Sequence, residues 1–98
     1  MIRLTVAVAL TVFTGVVPVQ AAFLAANGIK TVFITGSTGE CHSLTCDERL
    51  ALYEAWAVAG AARGLAVIAH VGAHSIEDAR VLARRARDLE LSAIAALA

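Results

Sequence analysis

The sequence is poor in the residues that break, cross-link or polarise a chain. Its 98 positions hold one proline, two cysteines, 5% aromatic residues and a single lysine, and eight basic residues offset eight acidic ones. Each shortage excludes something. Two cysteines cannot build a disulfide framework, and Cys41 and Cys46 stand five apart, which suits neither the usual zinc patterns nor a redox pair. Both read as small buried hydrophobes. With no net charge there is no stripe of positive potential for a phosphate backbone or an anionic membrane, so neither nucleic acid nor a membrane surface is an expected partner. Pro18, Gln20 and three threonines interrupt the amino-terminal apolar stretch, so an unbroken run of ~20 apolar residues, the length that spans a bilayer, is missing. His42, His70 and His74 form no tight cluster with carboxylates, and no metal site is expected.

What abounds is apolar. At 59% hydrophobic, residues 1–98 read as one compact unit, part of a single domain, and not as a linker or disordered tail. Residues 1–21 admit two readings. Arg3, the apolar stretch Leu4 to Val17 and Val19-Gln20-Ala21 ahead of Ala22 have the layout of a secretory signal. Alternatively, Val6, Val8, Leu10 and Val12 alternate with small residues in a buried strand of a parallel sheet. The strand reading goes with a cytoplasmic protein, the signal reading with a secreted one.

From Pro18 onward strands and helices alternate. Pro18 suits a first helical position, Val19 to Ala26 has helical composition, and Asn27-Gly28 supplies the stop. Thr31 to Thr35 is a short β-branched and aromatic strand cut off by Gly36. Thr45 with Glu48 makes a capping-box pattern for a helix from Cys46 to Arg63, stopped by Gly64, with Leu50, Tyr53, Ala57 and Gly60 on one face. Ala66 to Val71 is a second strand ended by Gly72. Ser75 with Asp78 opens another helix, whose stripe of Ala79, Leu82, Ala86 and Leu89 opposes Arg80, Arg84, Arg87 and Glu90, and Ser92 to Leu97 closes the pattern. Such alternation makes the class α/β, with a parallel sheet and helices outside it.

In parallel α/β folds the loops leaving the carboxyl ends of strands carry the ligands. Gly36-Ser37-Thr38-Gly39-Glu40 is such a loop. Its glycines let backbone approach a ligand, and its hydroxyls and amides offer donors to a small carboxylate. It is neither a dinucleotide fingerprint nor a P-loop, and the same glycines would also serve a plain strand-to-helix turn. His70 and His74 end the next strand, where proton transfer and simple packing are both open to them.

The run Gly28 to Glu40, with Ser43-Leu44-Thr45 and Glu48-Arg49 at their present spacing, resembles the signature of the N-acetylneuraminate lyase and dihydrodipicolinate synthase family, the class I pyruvate aldolases. Glu54-Ala55-Trp56 through Gly60, Val67 to Gly72 and the helix opened by Ser75 are similar to the lyase branch. The resemblance implies a (β/α)₈ barrel assembled as a homotetramer, of which this chain would be the amino-terminal part with the first three or four βα units. It implies an enzyme in which a barrel lysine forms a Schiff base with the pyruvate moiety of a small-molecule substrate, with no cofactor. Ser37 and Thr38 would then hold the substrate carboxylate, Thr38 joining a proton relay, while Gly36, Gly39, Glu40 and Arg49 support the loop. Lys30 precedes its strand and would sit at the wrong end for the nucleophile, so the catalytic lysine and the relay tyrosine are expected on later strands. Cys41 stands where the family often has glycine, and the stretch before Gly28 is shorter than the family's first strand, loop and helix.

The two readings of the amino terminus differ in a measurable way. Terminal sequencing should find Met1 or Ile2 retained if the segment is a strand, whereas a chain beginning at Ala22 and recovered outside the cell would establish the signal.

Overall fold

A computed structural model describes residues 6–9 (backbone only), 14–35, 45–73 and 75–95. The elements run β1 (Val6–Ala9), a 3₁₀ turn (Thr14–Val16), α1 (Val17–Ala26), β2 (Thr31–Ile34), α2 (Cys46–Arg63), β3 (Ala66–His70), α3 (Ile76–Asp88) and β4 (Ala93–Ala95). All four strands are parallel, in the spatial order β1-β2-β3-β4. A doubly wound sheet would reverse this order partway. Here each strand is laid beside its predecessor, as in a barrel wall.

Local chemistry sets the helix boundaries. At the start of α2 the Thr45 hydroxyl accepts from the Glu48 amide at 3.1 Å while the Glu48 carboxylate accepts from the Thr45 amide at 2.8 Å, a reciprocal cap whose loss costs about 1 kcal/mol. Gly64 ends that helix with φ +69°, and the Ser75 hydroxyl accepts from the Asp78 amide to open α3. Pro18 lies in the first turn of α1, which starts at Val17, one residue before the first helical position expected for Pro18, and Gly28 (φ +80°) turns the chain after it.

Three expectations need correction. The buried arc of α2 is Arg49, Leu52, Tyr53, Trp56, Ala59 and Gly60, whereas Leu50 and Ala57 lie half-buried at its margin. α2 packs on α1, α3 and β3 together, so its buried arc is broad, and the arc includes a charged residue that hydropathy alone assigns to solvent. α3 stops at Asp88, and Glu90 is left-handed (φ +56°) where a glycine would be easier. β2 stops at Ile34, because Thr35 also takes a positive φ, +56°.

The core lies between one face of the sheet and the helices. Val32 and Ile34 of β2 and Val67 and Ala69 of β3 meet Val17 and Ala21 of α1, Leu52, Tyr53 and Trp56 of α2, and Leu82 and Ala86 of α3. Thr31, Phe33 and Ile68 alternate onto the opposite face and are only half-buried, as befits residues facing the interior of a sheet that curls. Some apolar surface is left uncovered: Val19 is 73% and Phe23 66% exposed on α1, and Ile94 of the edge strand β4 is 52% exposed. Among the described residues no helix is long and apolar enough to cross a membrane.

Two glycine exchanges should move stability in opposite directions. A Cβ on Gly60 would lie 2.8 Å from Val67 Cγ2 and 3.2 Å from the Leu65 carbonyl, so Gly60→Ala should destabilise by about 1–3 kcal/mol. Glu90→Gly should stabilise by roughly 0.5–1 kcal/mol by relieving a left-handed side chain. Chemical denaturation of each variant against the parent checks both signs.

Candidate functional site

The carboxyl ends of β2 and β3 lie side by side, in a register that pairs Ile34 with Ala69. One residue further on each strand, Thr35 and His70 are both buried. Together with Arg49 they account for all of the buried polar or charged residues among those described, and all three meet in one cluster. Everything else in the buried set is hydrophobic or glycine, apart from the hydroxyl tip of Tyr53, which joins the same cluster.

The cluster is organised around the His70 carbonyl oxygen. The Thr35 hydroxyl donates to it at 3.1 Å, Arg49 Nη2 at 2.5 Å, and the Tyr53 hydroxyl through a short contact. A carbonyl oxygen has two lone pairs, so three donors must share it. Arg49 Nη1 adds a bond to the Gly72 carbonyl at 2.7 Å, and Nη2 lies 3.4 Å from His70 Nδ1. A cation buried to 3% exposure is tolerable only if its donors are engaged, and these carbonyls engage it. Among the described residues no carboxylate is paired with Arg49, and its Nε–H is buried without a partner.

The helix places these groups through its periodicity. Arg49 and Tyr53 are four residues apart, one turn, in the first half of α2, which the Thr45 cap anchors beside the strand ends. The His70 ring shares the inward face of the sheet with Phe33, ring centroids 6.2 Å apart and tilted by 54°. Burial raises the Tyr53 pKa above 10.0, opposed by the Thr35 hydrogen bond and the Arg49 charge, so the phenol remains a donor through the neutral range. Burial, then the Asp78 and Asp47 carboxylates, raise the Cys46 thiol above 9.0, which disfavours the reactive thiolate.

The residues singled out in the sequence divide into two groups. Gly36, Ser37, Thr38, Gly39 and Glu40, with Cys41, His42 and His74, lie outside the described residues. Arg49 is described and is held by the end of β3, as a brace between α2 and that strand. Lys30 is exposed and immediately precedes β2, at the end of the sheet opposite this cluster. Sequence reasoning missed Thr35 and Tyr53. Their spacing from His70, 35 and 17 residues, leaves no local signal, although a tyrosine one turn after an arginine on a buried helix face was a legible hint.

Comparison with known proteins gives a consistent picture. A family model described as the dihydrodipicolinate synthetase family matches residues 16–98. The chain is 41% identical over 71 residues to N-acetylneuraminate lyase of Danio rerio, covering 72% of this chain and 23% of that protein. To the Homo sapiens N-acetylneuraminate lyase it is 38% identical over 72 residues, covering 74% and 22%. The chain thus spans about a quarter of the length of the curated relatives it matches. Among solved structures, the Proteus mirabilis N-acetylneuraminate lyase superposes with a TM-score of 0.88 at 30% identity, over 97% of this chain and 34% of that one. The dihydrodipicolinate synthase of Aquifex aeolicus superposes at 0.85 with 22% identity and 34% of its chain covered, a likeness of fold.

Tyr53 is the sole tyrosine, so its ionisation can be followed alone. Absorbance titration should show it ionising above the ordinary 10.0, and Arg49→Ala should raise it further by removing an opposing charge. Because the folded value is the raised one, the contribution of this phenol to stability is fully present below about pH 10 and lost as pH climbs through the folded pKa.

Proposed function

The chain belongs to the dihydrodipicolinate synthetase family, and on that premise we propose that it forms the amino-terminal, carboxylate-binding part of an N-acetylneuraminate lyase-like aldolase. The reaction is Schiff-base cleavage of a sialic acid to pyruvate and N-acetylmannosamine. Residues 1–98 are one part of a single barrel domain, working without cofactor or metal, as a homotetramer, in the cytoplasm. The observation that supports this best is that the Gly36 to Glu40 segment comes next in sequence after β2 and Thr35, and that this carboxyl end of the sheet holds the only buried polar cluster among the described residues.

Within that reading Ser37 and Thr38 hold the substrate carboxylate through hydroxyls and amides, and Thr38 passes a proton. Gly36, Gly39 and Glu40 shape the loop, and Arg49 braces it from α2. Amine catalysis needs a lysine able to attack the pyruvate carbonyl. Lys30 stands at the amino end of β2, so the nucleophile belongs to a strand beyond those described, and this chain by itself is inactive. A dihydrodipicolinate synthase-like condensation of pyruvate with an aldehyde would use the same loop. The 41% and 38% identities to lyases favour cleavage. A non-catalytic interaction role is a further reading, for which β1 and β4, the edge strands of the sheet among the described residues, offer the surface.

Pyruvate with borohydride should leave Lys30 unlabelled and the chain without lyase turnover, whereas a pyruvate adduct on Lys30 with activity would refute the placement of the nucleophile. In a complete barrel carrying this segment, Thr38→Val should lower kcat/KM roughly tenfold to a hundredfold with the fold intact, and Ser37→Ala should cost less. Arg49→Ala should act mainly on stability, visible as a lowered denaturation midpoint.

A further inference from the structure

We infer that Thr35, Arg49 and Tyr53 are positioning residues for the carboxylate-binding segment, fastening the chain on both sides of it to one backbone atom, the His70 carbonyl oxygen. The inference rests on the reading of Ser37 and Thr38 given above and adds residues that this reading does not assign.

The geometry is that of a clasp. Thr35 is the last residue of the chain before the segment, and its hydroxyl bonds the His70 carbonyl. The chain re-enters through the Thr45 cap, and within the next two turns Arg49 and Tyr53 bond that same carbonyl. Arg49 also holds the Gly72 carbonyl, so the beginning of the following loop is tied into the same clasp. Entry and exit of the segment are therefore referred to a single point on the neighbouring strand.

Two observations argue that the clasp serves position as well as stability. Thr35 is β-branched yet sits at φ +56°, in a region such residues rarely adopt and hold only when their surroundings impose it. Among the described residues the Nε–H of buried Arg49 has no partner, and an apolar side chain of similar size would avoid the desolvation cost of the guanidinium. The remaining core of α2 is apolar or small, so these costs are confined to the end of the sheet that carries the segment. What the clasp fixes is the backbone of Thr35, the last described residue before the segment.

The test titrates the chain with sodium pyruvate and follows the Ser37 and Thr38 amide resonances, with α3 amides reporting the fold. The parent should give saturable shifts. Tyr53→Phe keeps the ring and removes one donor, and it should weaken pyruvate roughly five- to tenfold, as should Thr35→Val, while α3 amides stay in place. Thr35→Ser retains the hydroxyl and should remain within about twofold of the parent. Folded Tyr53→Phe and Thr35→Val chains that bind pyruvate as the parent does would overturn the inference and leave the carboxylate reading standing. Should Thr35→Val unfold, Tyr53→Phe alone decides. A parent without saturable shifts would remove the carboxylate reading, and this inference with it.

Discussion

A backbone carbonyl at the end of a strand can gather donors from every element that meets there, and in this chain much depends on the one that does. The His70 oxygen takes donors from β2's end and twice from α2, so a strand, its neighbour and the covering helix share one acceptor. The polar atoms involved are buried, which makes leaving any of them unmatched expensive. Their mutual satisfaction fixes how far α2 reaches along the sheet. The apolar packing of Leu52 and Trp56 then fills the space below that point.

The arrangement also separates two tasks along one helix. The first turns of α2 carry the cap and the polar contacts to the strand ends, while its second half packs Trp56, Ala59 and Gly60 into the core and is stopped by the left-handed Gly64. Gly60 admits Val67 and the Leu65 carbonyl so closely that a methyl group would collide. Support for the fold is thus concentrated toward the amino ends of the strands and the proposed chemistry toward the carboxyl ends, the division expected of parallel barrels.

Much of this was legible in the sequence where the signal was local. The α2 boundaries followed from Thr45, Glu48 and Gly64, because a cap and a left-handed stop are written within a few residues. The α/β class and the parallel sheet followed from the alternation of short apolar strands with capped helices, and the family resemblance from the Gly36 to Arg49 spacing. The Arg49 burial was not legible, since its partners lie 21 and 23 residues away on β3 and an arginine's default place is at the surface. The positive φ of Thr35 and Glu90 was hidden for another reason: tertiary contacts, and not residue preference, select it.

The strand order has a bearing on how such a chain is made. Among the described residues every sheet pairing joins one strand to the next in the sequence, so within β1 to β4 each strand can dock on its predecessor. Contacts close over one βα unit at a time, which keeps loop-closure entropy small at each step. This part of the chain can assemble in the direction of its synthesis, β2, β3 and β4 in turn adding to a wall already begun.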